Sequence, residues 1–157
     1  MRGSEPVPMT DLHPPWRWGL LLACLAWLAV VASPPFVAEF ADFMRWLLHP
    51  VCHQIPERSF VLLAEPVAAC HRCTGLYVGF TFGVVLWPFM PSLAARLAAR
   101  PRWVCAFFVP LMIDWIVADN TPASRFATGV VASFPVALLA LLALAQRGER
   151  IPTDLKE

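Results

Sequence analysis

The chain has 157 residues, of which 59% are hydrophobic and only 15% charged, with a formal net charge of +1. A soluble domain carries about 45–50% apolar and about 25% charged residues, and a fold of this length has too little interior to hide the excess. The composition therefore argues against a soluble protein and for a lipid environment, and with no basic block it excludes nucleic acid as a partner.

Four apolar stretches follow one another, at about 17–33, 71–90, 103–118 and 123–145. Spanning a bilayer takes roughly 20 apolar residues, and lipid leaves a chain no backbone partners but its own, so each stretch is expected to be a helix. The first ends at Pro34-Pro35. Arg2 and Arg17 before it, and Val30-Val31-Ala32 within it, also resemble a signal peptide. Trp16, Trp18 and Trp27 instead favour a resident helix anchored at the interface. Next, Phe36, Phe40, Phe43 and Leu47 recur at helical spacing, with Glu39, Asp42 and Arg45 on another side. This is the pattern of a short amphipathic helix lying in the interface. Pro50, Pro56 and Pro66 then predict an irregular loop. In the second span Gly75, Gly79 and Gly83 repeat every four residues, a face for close helix packing. Ahead of the fourth, Thr121 is a suitable N-cap and Pro122 a suitable first helical residue. The tails, 1–15 and 147–157, are expected to be loosely ordered.

The expected fold class is thus all-α: a polytopic membrane protein with four transmembrane helices and a short interfacial helix, forming a single membrane domain over 1–157. On that topology Arg2, Arg17, Arg96, Arg100, Arg102, Arg147, Arg150 and Lys156 fall on one side. Only Arg45, Arg58, Arg72 and Arg125 fall on the other. The positive-inside bias predicts a multi-pass protein of the cell membrane with both termini cytoplasmic.

Three of the five cysteines share the outer face. The loop holds Cys52-His53-Gln54, and the second span opens with Cys70-His71-Arg72-Cys73. Cysteines three apart at a helix start lie in one turn, where free N–H groups and the positive dipole end stabilise thiolates. Cys52, Cys70 and Cys73 with His53 make a Cys₃His set, a tetrahedral zinc arrangement; iron or copper also accept soft sulfur ligands. The same spacing admits reactive redox thiols, or a disulfide that only staples the loop. Cys24 and Cys105 read as core residues, His13 and His49 as surface ones, and His71 as a reserve ligand.

Asp114 is an acid within an apolar stretch, a placement that costs about 2.5–3.5 kcal/mol at the bilayer centre. It reads either as a catalytic base or ligand near the thiols, or as half of an ion pair with Arg125. Arg58, Arg72 and Arg125 are candidates to bind an anionic substrate or headgroup, the alternative being ordinary snorkelling.

The run Cys52-His53-Gln54-Ile55-Pro56-Glu57-Arg58-Ser59-Phe60, followed by Cys70-His71-Arg72-Cys73-Thr74-Gly75-Leu76-Tyr77-Val78-Gly79, resembles a family of small prokaryotic membrane proteins of unknown function. Asp114, Arg125 and Thr128-Gly129 are similar to a later part of its pattern, so the likeness spans about residues 48–145. The resemblance implies that Cys52, His53, Cys70, Cys73 and Asp114 matter more than His71, which occupies a variable position. Trp115 departs from it, since a glycine is expected after the acid.

Three functions remain open at this point. The first is a metalloenzyme or metal-handling protein with a divalent transition metal, zinc first, at the extracytoplasmic face. The second is a thiol–disulfide oxidoreductase linked to quinone or another lipid-like substrate. The third is a non-enzymatic scaffold with a stapled loop.

Overall fold

A computed structural model describes residues 15–117 and 120–149. The described residues form α1 (Pro15–Ala32), α2 (Ala38–Leu48), β1 (Ser59–Leu62), β2 (Glu65–Cys70), α3 (His71–Leu86), α4 (Pro91–Ala99), α5 (Pro101–Ile116) and α6 (Pro122–Glu149). Single 3₁₀ turns occupy Pro56–Arg58 and Trp87–Phe89. Four of the helices begin on proline, whose fixed φ suits the first turn and whose missing N–H would have no partner there. Most of both expected tails lies outside the described residues, although Pro15 and residues 147–149 belong to α1 and α6.

This corrects the expected four-span, all-α architecture. Among the described residues only one helix is long and apolar enough to cross a membrane, Pro122–Gln146, with mean hydropathy 2.2. His71–Phe89 and Pro91–Ala99 pass together, but they meet at a 110° bend. Trp16–Ala32 is a shorter apolar helix. The reason is local: Pro88 ends α3 inside the second stretch, and α3 and α5, at 16 residues each, reach only about 24 Å at 1.5 Å per residue, against a hydrocarbon core of about 30 Å.

The second departure is a hairpin where an irregular loop was expected. β1 and β2 pair antiparallel, with Leu62 opposite Glu65 and Ser59 opposite Cys70. The connecting Leu63 and Ala64 both have positive φ, 51° and 67°. That is the backbone of a primed two-residue turn, usually built from Asn-Gly or Gly-Gly. Leu-Ala sends no such signal.

The centre of the fold is α3 packed along α6. A Cβ on Gly75 would collide with the Phe126 carbonyl, and one on Gly83 would lie 2.5 Å from the Ala137 methyl. From α6, Gly129 approaches the Arg72 carbonyl equally closely. The glycines thus let two backbones touch and set α3 and α6 parallel, with both N-termini at one pole. At that pole a small core joins Val31, Leu48, Cys52, Ala68 and Ala69. At the other, Val84 and Trp87 pack with Ala94, Leu97, Leu138, Leu141 and Leu142. The outer faces stay apolar: Trp18, Leu22, Phe82, Phe89, Met112, Ile113 and Ile116 are all exposed. So are Phe36, Phe40, Phe43 and Leu47 along and just before α2.

Candidate functional site

Three elements deliver the thiols. Helix α2 ends at Leu48, whose carbonyl accepts from the N–H groups of both Val51 and Cys52, turning the chain back on itself. The Gln54 side chain donates to the Arg45 carbonyl at 2.6 Å, satisfying one of the free carbonyls at the end of α2. Gln54 itself sits at φ 51°. This folded-back loop buries Cys52, which is 3% exposed. Strand β2 brings Cys70 to the N-cap of α3, and Cys73 follows in the first turn.

The Sγ atoms of Cys52, Cys70 and Cys73 all lie within 4.8 Å of one another, and all three cysteines are free. The Cys70 N–H points at the Cys52 sulfur at 3.3 Å, and the Cys73 thiol faces the Val51 carbonyl at 3.9 Å. Hydrogen bonds from the Cys52 and Cys73 thiols, then from the N–H groups of Cys73 and Arg72, hold Cys70 far below the ordinary thiol range. The three sulfurs are soft donors converging on one point, a set that can hold a metal ion.

His53 is exposed and is not among the donors within 4.8 Å. His71 is 5% exposed, packs edge-on against the Phe60 ring at 4.4 Å, and is likewise not among them. Cys105 is exposed on α5 rather than in the core, and Cys24 is half-buried on α1.

A second polar cluster adjoins the thiols through Arg72, the residue between His71 and Cys73. Asp114, 6% exposed near the end of α5, takes a 2.5 Å ion pair from Arg72 Nη2 and a 2.7 Å hydrogen bond from Ser124 Oγ. The ion-pair partner is thus Arg72 and not the expected Arg125. Arg125 reaches the acid's main chain indirectly, donating through Nε to the Asn120 side chain, which donates to the Asp114 carbonyl. Asn120 and Ser124 were not anticipated from sequence. Their only signal was the N-cap at Thr121, which pairs with Ser124 by reciprocal 3.1 Å bonds. Arg58, Arg72 and Arg125 line one small cavity on this side of the fold.

A family model described as a predicted membrane protein (DUF2085) matches residues 52–139, from the first of the three thiols into α6. An uncharacterised protein of Methanocaldococcus jannaschii is 27% identical over 131 residues, covering 74% of this chain and 84% of its own. One from Methanothermobacter thermautotrophicus is 30% identical over 94 residues, covering 57% of this chain and 83% of its own. No solved structure matches the chain.

Proposed function

The chain belongs to the DUF2085 family of predicted membrane proteins, and from that premise we propose that it is a membrane-bound metal protein whose ion sits on Cys52, Cys70 and Cys73. The observation that carries this reading is the convergence of three free sulfurs within 4.8 Å. Tetrahedral zinc with bonds of about 2.3 Å needs its sulfurs about 3.8 Å apart, so closing on an ion takes a movement of at most about 1 Å. The lowering of the Cys70 thiol by its hydrogen bonds reduces the proton cost of binding. Three sulfurs leave a fourth position. His53, next in the chain to Cys52, fills it in a structural site; water or substrate fills it in a catalytic or transfer site. Zinc is the first choice, with iron and copper the alternatives for soft ligands.

The proposed setting is the cell membrane, crossed more than once, with both chain ends cytoplasmic and the thiols on the extracytoplasmic side. Arg96, Arg100 and Arg102 lie where α4 meets α5, at the pole away from the thiols, which agrees with the positive-inside bias. Asp114 is proposed as a positioning residue that holds the Arg72 segment of the thiol turn.

Metal analysis of protein purified without added chelator tests the reading. About one equivalent of a transition metal per chain is expected, lost in the Cys70→Ser/Cys73→Ser variant. Less than half an equivalent, unchanged by that variant, overturns it.

One observation favours a second reading, a thiol–disulfide exchanger linked to quinone: Cys70 sits at the N-cap of α3 within 4.8 Å of two further free thiols. Thiol trapping in oxidised and reduced cells separates the two, since only the exchanger interconverts a Cys70–Cys73 or Cys52–Cys70 disulfide.

A further inference from the structure

We infer that the cavity between the hairpin, the end of α5 and the start of α6 is a binding site for one phosphate-bearing anion, gripped by Arg58, Arg72 and Arg125. The cavity measures about 140 Å³ and is lined by these three arginines with Asn120, Trp115 and Val117. That is well below the roughly 300–1,000 Å³ of sites that take a whole drug-sized ligand, so it suits a compact oxyanion.

Charge is the first argument. Three guanidinium groups line this cavity, and Asp114 is paired with one of them, Arg72. Both of its oxygens are occupied, Oδ2 by Arg72 and Oδ1 by Ser124. Among the described residues, Arg58 and Arg125 have no carboxylate partner. Among the described residues, then, both guanidinium groups stand without a counter-ion near the N-terminus of the 28-residue α6, which adds its own positive potential. Ordinary snorkelling would spread such arginines toward water; here their side chains line the same small cavity.

Preorganisation is the second. Arg72 is fixed by Asp114, and Arg125 is fixed through Nε by Asn120, so neither guanidinium must be ordered when a ligand arrives. Arg58 is exposed at the start of the hairpin and completes the ring from outside. Planar guanidinium forks match the oxygens of a phosphate better than any other side chain does.

The surroundings give the anion two possible sources. Trp115 and Val117 line the cavity and are exposed, an apolar wall that would accompany the glycerol and first methylenes of a phospholipid. A free phosphate or phosphate monoester carries the same headgroup chemistry without that wall. The inference does not depend on a metal at the thiols.

Isothermal titration of the full-length protein in a nonionic detergent, with inorganic phosphate and separately with dioctanoyl phosphatidic acid, is the test. Saturable binding of one equivalent of either probe is expected. The Arg58→Gln/Arg125→Gln variant should bind at least tenfold more weakly, while the Arg58→Lys/Arg125→Lys variant retains part of the affinity. Binding of the lipid but not of phosphate identifies a headgroup site; binding of both identifies a free oxyanion site. If the double variant does not fold, Arg58→Gln alone carries the test with a loss of threefold or more, because that side chain is exposed. No saturable binding of either probe, or wild-type affinity in the glutamine variants, overturns the inference.

Discussion

Arg72 and Asp114 stand 42 positions apart in the chain, yet their side chains meet at 2.5 Å, tying the turn that carries Cys70 and Cys73 to the end of α5. The acid is buried and the arginine about a quarter exposed, so the pair lies between a surface bridge and an interior one.

Asp114→Asn removes the charge and leaves Arg72 without its counter-ion. Breaking a fully buried pair costs about 3–5 kcal/mol and a surface pair about 0–1; partial exposure places this one at about 1–3 kcal/mol. The amide still accepts from Ser124, so the loss isolates the ion pair. Thermal unfolding in detergent measures it, and a shift no larger than that of an exposed control such as Glu57→Gln would contradict the assignment.

Gly79→Ala should destabilise by about 1–3 kcal/mol, since the added methyl runs into the Ser133 hydroxyl and the Val130 backbone and forces α3 from α6. Gly19→Ala on α1 meets nothing within 4 Å. It should be neutral, or stabilise by about 0.5–1 kcal/mol through helix preference. Comparing the two midpoints checks that the glycine stripe acts through contact.

Gln54→Ala loosens the loop that seats Cys52, because its amide ties that loop to the Arg45 carbonyl. On the metal reading, affinity should drop about 10–100-fold, the usual effect of removing a group that orients a ligand. Competition with a chromophoric chelator reads this directly. Unchanged affinity would show that Cys52 is seated without Gln54, or is not a ligand.

Much of this protein is legible in local patterns. The apolar majority, the proline-led helix starts, the glycine stripe and the paired cysteine motifs all depend on residues within a few positions of one another, and each marks an element or contact found in the fold. The same local signals placed Cys70 and Cys73 in one turn and directed Cys52 toward them. They failed on the number of membrane crossings, because apolar composition does not reveal where a helix stops: in the second stretch α3 ends at Leu86, ahead of Pro88, short of the roughly 20 residues a crossing takes. They failed on the hairpin too, because Leu63 and Ala64 adopt a backbone that pairing across β1 and β2 imposes rather than one their side chains prefer.

What amino-acid order determined by itself was the membrane character, the helical segments and the chemistry of the donors. Tertiary structure alone decided that Asp114 pairs with Arg72 instead of the nearer Arg125. It also left His53 outside the three sulfurs and gathered Arg58, Arg72 and Arg125 around one cavity. The physical reason is the parallel contact of α3 with α6: glycine faces let the two backbones touch, and that closeness brings three distant segments to a single pole.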